Sequence, residues 1–268
     1  MKSVEKIGLP KRAARRQFLL RAVSAVAALP LAGCDDTVSQ NPTVNSILDS
    51  AEAVTRRVQR AITDPHALAR EYPASEITEH FYSNGTSDPD NPRYQELAKT
   101  GFADWRLDVG GLVDRPRRFS LAELRGFPPR TQITRHDCVE GWSNIGQWTG
   151  VQLSRILDAV DRQPAARYVM FFCADPMGNS LDGSDSRYYE SIGMDDAYHP
   201  QTILAYGMND QTLPMPYGAP LRLRDERQLG YKMAKYIMRI ELVESFAHIR
   251  GGKGGYWEDQ GYEWYAGI

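Results

Sequence analysis

Three cysteines in 268 residues are too few for a disulfide-dense scaffold. The chain also has no Cys-x-x-Cys-His motif for attaching a haem and no glycine fingerprint of a flavin or nicotinamide site. Long apolar runs are missing too: the best stretch, Ala22 to Leu31, is broken by Ser24 and Pro30 and is too short to span a bilayer. No internal repeat is present. Positive charge is scarce beyond the N-terminus. Residues 1–33 hold seven Lys or Arg and a single acid, Glu5, so from Cys34 onward 25 basic residues face 33 acidic ones, a net of −8. A domain with that balance is a poor partner for a phosphate backbone, where Lys and Arg must replace condensed counterions, and nucleic-acid binding is set aside.

What the chain does have is a globular composition, 42% hydrophobic and 25% charged, and enough length for one substantial domain or two small ones. Its first 33 residues read as an address. Arg15-Arg16-Gln17-Phe18-Leu19 ends a basic stretch, the short apolar run follows, and Leu31-Ala32-Gly33-Cys34 closes it. The paired arginines resemble a twin-arginine signal, and the closing box resembles the site at which bacterial lipoproteins are cleaved and acylated on Cys. Together and in this order they imply export to the periplasm and a lipid anchor at Cys34. The twin-arginine route carries folded cargo, which often holds a cofactor.

Beyond the address, apolar residues at helical spacing between Val44 and Val58 predict a linker and helix over 34–72, with the main domain at 73–268. Residues 83–92 form a turn-rich loop. Alternation at Trp105, Leu107 and Val109 predicts a strand, and Ser120 with Glu123 has the spacing of a capping box. Ile133 sits in a strand running into Cys138. Leu153, Ile156, Leu157 and Val160 mark a helix face, while 168–172, 204–206, 221–223 and 236–242 are strand candidates. Many strands, few helices and no regular β-α-β alternation predict a mixed α+β fold.

Cys34 would be consumed by acylation, leaving Cys138 and Cys173. These two could form one disulfide, as is common in exported proteins. The surroundings of Cys138 favour another use. It lies at a strand end in His136-Asp137-Cys138-Val139-Glu140-Gly141-Trp142-Ser143, a poor core position, and a thiolate is a soft donor suited to a redox-active metal. His136 and Asp137 could steer protons there, or simply support the structure.

With Trp148-Thr149-Gly150-Val151, Gly218-Ala219-Pro220-Leu221-Arg222 and Gly230-Tyr231-Lys232-Met233-Ala234-Lys235, that segment resembles the sulfite-oxidase-like molybdopterin oxidoreductases, in particular the branch of the periplasmic methionine sulfoxide reductase catalytic subunit. The similarity runs from about Ile77 to about Leu242. It implies the sulfite oxidase molybdopterin-binding fold in a single catalytic domain, a molybdenum–molybdopterin cofactor, and Cys138 as the catalytic residue and metal ligand. Arg222, Gly230, Tyr231 and Lys232 would then hold the pterin phosphate, as their chemistry allows: guanidinium grips phosphate bidentately, Lys adds charge, and Gly lets backbone N–H groups approach. Tyr82 and Ser83 match pterin contacts. The resemblance also implies cofactor contacts at Cys173, which falls where the reductase has Thr, and at Tyr217, where it has Asn, while Glu79 and His80 lie near a position often filled by Asn. Trp142, Trp148, Trp257 and Trp264 read as core or lid packing before they read as ligand surfaces.

Sulfite oxidases add an immunoglobulin-like dimerisation domain that the tail from Gly251 does not match, which points to a monomer. They also follow their cysteine with arginines, where this chain has Glu140 and Trp142. Reduction of a neutral S-oxide or N-oxide is the expected reaction, ahead of oxidation of sulfite and ahead of a non-catalytic lipoprotein keeping the fold. Electrons would come from a separate protein, for which a membrane cytochrome is the natural candidate.

Overall fold

Two five-stranded sheets share one hydrophobic core, and the local sequence explains most of their strands. The computed structural model describes residues 54–55, 57–58, 64, 67–178 and 186–268, all within one compact unit, Val54–Ile268. The N-terminal address and most of the predicted linker helix lie outside them. Residues 54, 55, 57 and 58 are helical.

The strands are β1 (Arg106–Gly111), β2 (Arg117–Ser120), β3 (Pro129–Asp137), β4 (Ser143–Gln152), β5 (Tyr168–Pro176), β6 (Arg187–Gly193), β7 (Ile203–Met208), β8 (Gln211–Thr212), β9 (Arg222–Arg224) and β10 (Ile237–Val243). Short helices α1 (Pro92–Lys99), α2 (Leu121–Gly126), α3 (Leu153–Ala159), α4 (Met194–Ala197) and α5 (Tyr256–Asp259) connect or flank them. One sheet runs β2-β1-β10-β5-β6, with β1 and β10 parallel and the other neighbours antiparallel. The other runs β3-β4-β7-β8, and β9 also pairs with β7. The fold is therefore α+β with a mixed sheet, as the order of elements predicts.

In β1, Leu107 and Val109 point inward while Arg106 and Asp108 point out. They join Val169 and Phe171 of β5, Ile240 and Leu242 of β10, Val151 of β4, Leu204 of β7 and Leu223 of β9 in a single core, which α3 closes with Leu153, Ile156 and Leu157. Burial of such side chains contributes roughly 1.5–3 kcal/mol each. The capping box forms: Ser120 Oγ accepts from the Glu123 N–H at 3.2 Å, and Glu123 Oε2 accepts from the Ser120 N–H at 2.8 Å.

The second sheet positions the site. A nine-pair antiparallel ladder, from Pro129↔Val151 to Asp137↔Ser143, delivers Cys138 to the tip of the β3–β4 hairpin. There the Cys138 N–H donates to the Trp142 carbonyl at 2.9 Å and the Gly141 N–H donates to the Cys138 carbonyl at 3.0 Å. Gly141 has φ of +90°, which an L side chain rarely adopts. The boundary read at residue 73 falls inside a docked segment. Gln201 clamps the Ala69 backbone on both sides, the Tyr72 N–H donates to Ile133, and the Thr78 N–H donates to Ile145. Residues 69–78 thus belong to the domain's hydrogen-bonding scheme.

Where β4 meets β7 the register shifts between Thr149 and Gly150. A Cβ on Gly150 would collide with the Leu204 backbone. Gly150→Ala should therefore cost about 1–3 kcal/mol through overpacking. Urea unfolding of the purified domain checks this; an unchanged midpoint would show that β4 and β7 can separate freely.

Candidate active site

The loop after residue 80, the β3–β4 hairpin tip, the end of β5 and the segments around 216–222 and 230–235 enclose a cavity of about 190 Å³. Cys138, 9% exposed, stands in its wall. Both Cys138 and Cys173 are free thiols, so the disulfide alternative is not realised between them.

The sequence-predicted residues divide. Tyr82, Ser83, Tyr217, Arg222, Gly230 and Tyr231 line the cavity with Cys138. Cys173 and Lys232 do not. Cys173 packs in the main core, where burial pushes its thiol well above the ordinary value. Lys232 is buried with Nζ 2.5 Å from both Glu190 and Glu258. Burial opposes its charge, but the two carboxylates hold its pKa above the usual value. Glu190 is pushed up in turn, chiefly by burial, against the pull of Lys232. The Lys232 ammonium is thus paired inside the protein rather than presented at the cavity wall. Glu79 and His80 are exposed and outside the cavity wall.

The lysine that does line the cavity, beside Arg222, is Lys235, whose importance the sequence did not reveal. Its Nζ donates to the carbonyls of Asn84 at 2.9 Å, Thr86 at 2.5 Å and Pro216 at 3.3 Å. Burial and the nearby Arg222 lower its pKa to about 8. Arg222 is likewise buried, and burial with Arg224 beside it lowers its pKa to about 9. Its Nη1 donates to the Tyr217 carbonyl at 3.0 Å, and its guanidinium lies 4.8 Å from the Trp148 ring centroid. Among the described residues neither cation has a carboxylate within ion-pairing distance. Arg224, two residues on, differs: it is fully buried against Glu226 at 2.5 Å.

Asp175 also lines the cavity, 4% exposed, with one carboxylate oxygen lacking any hydrogen-bond donor. Burial pushes its pKa up to about 7. His136 is buried and takes Arg224 Nη1 at 2.9 Å on Nδ1, so it is the acceptor there and neutral. Burial first, then Arg224, Arg222 and Lys235, hold it well below its usual pKa. Asp137 pairs with Arg135 at 2.9 Å and accepts from Ser143 Oγ at 2.5 Å. Both residues brace the hairpin. Trp148 is fully buried core, with Phe81 edge-on at 5.5 Å, whereas Trp257 lines the cavity and stacks on Tyr262 at 5.3 Å.

This donor set has a clear chemical profile. A thiol at the wall suits a soft metal, two unpaired cations suit a phosphate, an unsatisfied buried carboxylate oxygen suits ring N–H donors, and Tyr and Trp faces suit a planar heterocycle. Gly230 keeps the wall close: a Cβ there would lie 2.5 Å from the His136 ring.

Residues 94–248 match the family model described as the oxidoreductase molybdopterin binding domain. The chain belongs to this family and is a molybdopterin-dependent oxidoreductase of the sulfite-oxidase-like class. It is 40% identical to the putative protein-methionine-sulfoxide reductase subunit YedZ1 of Azospira oryzae, over 95% of this chain and 88% of that protein. It is 36% identical to the protein-methionine-sulfoxide reductase catalytic subunit MsrP of Ralstonia nicotianae, over 64% and 54% of the two chains. The corresponding subunit of Xanthomonas axonopodis is 33% identical over 85% and 70%. Among solved structures, the sulfane dehydrogenase SoxCD of Paracoccus pantotrophus matches 56% of this chain and 40% of its own, at 22% identity and a TM-score of 0.48.

The two lysines separate cleanly by experiment. Lys232→Ala leaves two buried carboxylates without their cation and should destabilise the cofactor-free protein by about 3–5 kcal/mol. Glu190, whose folded pKa burial raises, stabilises the fold fully only below its unfolded pKa, so this deficit should shrink as pH falls and grow as pH rises. Lys235→Ala should instead lower molybdopterin occupancy with a smaller stability change. Chemical denaturation at several pH values, with pterin quantified by fluorescence after oxidation, distinguishes them; equal pterin loss in both variants would return Lys232 to the site.

Proposed function

We propose that this protein removes the oxygen atom from a neutral S-oxide, with methionine sulfoxide in proteins as the substrate class. The observation that carries the direction of reaction is the composition of the wall beside Cys138. Val139 and Glu140 line the cavity, and Glu140 accepts from Trp142 Nε1 at 2.9 Å. Trp142 in turn meets Tyr82 edge-on at 4.9 Å. A carboxylate in the wall repels a small anion such as sulfite, while the aromatic pair offers a neutral, polarisable group an apolar surface. The names of the relatives, protein-methionine-sulfoxide reductase subunits, agree with that choice. Oxidation of sulfite is the less favoured alternative.

Tyr82, Val139 and Tyr262 are 57%, 47% and 39% exposed, although each lines the cavity. An apolar rim of this kind favours a side chain presented by another protein over a freely diffusing polar molecule. Bound in the cavity, the molybdenum–molybdopterin cofactor supplies a metal that exchanges an oxygen atom and two electrons. Cys138 would ligate that metal through its thiolate, Arg222 and Lys235 would neutralise phosphate, and Gly230 and Tyr231 would approach it through their backbone. The net reaction consumes two electrons and two protons and releases the thioether and water. The electrons would come from a separate electron-transfer protein, a membrane cytochrome being the natural class. The address at residues 1–33 supports export by the twin-arginine route and lipid attachment at Cys34.

Cys138→Ser should abolish turnover, because a hydroxyl is a much weaker donor than a thiolate, whereas Cys173→Ser should retain most of it. Reduced viologen with methionine sulfoxide, dimethyl sulfoxide and trimethylamine N-oxide, against ferricyanide with sulfite, tests the direction: sulfite turnover without reduction of any oxide would overturn it. Fractionation of cells carrying Arg15→Lys/Arg16→Lys or Cys34→Ala should show lost export in the first and lost membrane association in the second. Unchanged distribution in either would remove that half of the localisation.

A further inference from the structure

We infer that Asn84 is a positioning residue for the sulfur of Cys138, donating a hydrogen bond that sets how strongly this thiolate binds and feeds electrons to the metal. The inference rests on Cys138 being the metal ligand. Asn84 Nδ2 lies 3.4 Å from Cys138 Sγ. An Asn amide can present either end, but here its orientation is constrained: the Gly85 N–H donates to Asn84 Oδ1 at 2.7 Å, which leaves Nδ2 as the end facing sulfur. Gly85 has φ of +66°, a conformation glycine adopts without cost.

The Asn84 backbone is held as well. Lys235 Nζ donates to its carbonyl at 2.9 Å and, through Thr86 and Pro216, ties the loop to the opposite wall. Ser83 Oγ donates to the Pro216 carbonyl at 2.6 Å. On the sulfur side, the backbone hydrogen bonds of Cys138 with Trp142 and Gly141 hold the hairpin tip that carries the thiol. Donor and acceptor therefore approach from two separately anchored segments, 54 residues apart in sequence.

An N–H donor on a ligating thiolate withdraws electron density from sulfur and lowers its donation to the metal. Outer hydrogen bonds of this kind tune metal sites substantially. Weaker donation destabilises the higher oxidation state, so the wild-type metal should be easier to reduce than one whose sulfur lacks this bond. Easier reduction suits an enzyme that must be re-reduced by an external donor after each oxygen-atom removal.

The test is redox titration of molybdenum by electron paramagnetic resonance in the full holoprotein, comparing wild type with Asn84→Leu, which keeps the shape and loses the donor, and Asn84→Asp, which replaces it with a carboxylate. Asn84 is exposed at the cavity wall, so both variants should fold. The Mo(V)/Mo(IV) midpoint should shift negative in Asn84→Leu and further in Asn84→Asp, at wild-type molybdenum content. Unchanged midpoints in both variants, with the Mo(V) signal present, would overturn the role of Asn84 alone. A wild-type signal that persists unaltered in Cys138→Ser would instead refute the ligand assignment, and this inference with it.

Discussion

The β3–β4 ladder is the constraint on which the site depends. Nine consecutive residue pairs leave no freedom of register, and a slip by one residue would send Cys138 to the opposite face of the sheet. Two backbone hydrogen bonds then close the tip around Cys138, with Gly141 in a conformation few other residues accept. The neighbouring parts take their positions from this hairpin. The segment from Ala69 to Tyr82 docks on it through Ile133, Ile145 and Asn144, and brings Tyr82, Ser83 and Asn84 to the mouth of the cavity.

Buried cations are distributed in two ways, and the difference separates framework from function. Arg224 and Lys232 each meet carboxylates inside the protein, which makes them internal ties whose removal would strand a buried charge. Arg222 and Lys235 have carbonyl oxygens as their hydrogen-bond partners, and burial drags both pKa values down. Carbonyl dipoles stabilise a cation less than an anion does. The two residues therefore sit in a state that a bound anion would relieve.

The sequence was most legible where a pattern is local. Alternation at Leu107 and Val109, the Ser120–Glu123 cap and the apolar face of α3 appear where periodicity put them, and the landmark around Cys138 falls in the cavity wall. Strand limits drifted by a residue: 221–223 was read where β9 covers Arg222–Arg224, and 236–242 where β10 covers Ile237–Val243. Strand β6 was missed. It is Arg187–Gly193, buried on both faces over most of its length and carrying Glu190, so it shows no apolar alternation to detect.

Lys232 and Lys235 illustrate why the remainder was hidden. The family landmark contains both, and nothing in their spacing tells which one faces the cavity. The decision is made by partners far away in sequence: Glu190 and Glu258 lie 42 and 26 residues from Lys232, whereas the carbonyls of Asn84 and Thr86 lie about 150 residues from Lys235. A short 3-10 turn over Gly230–Lys232 sends one ammonium inward to the carboxylates, and the following bend delivers the other to the loop after Tyr82. The same non-local logic applies to Asn84, whose neighbours read as an unremarkable turn until the hairpin brings Cys138 within reach. Chemistry-bearing residue types are visible in a sequence, but which charge remains available to a ligand is a property of the tertiary pairing.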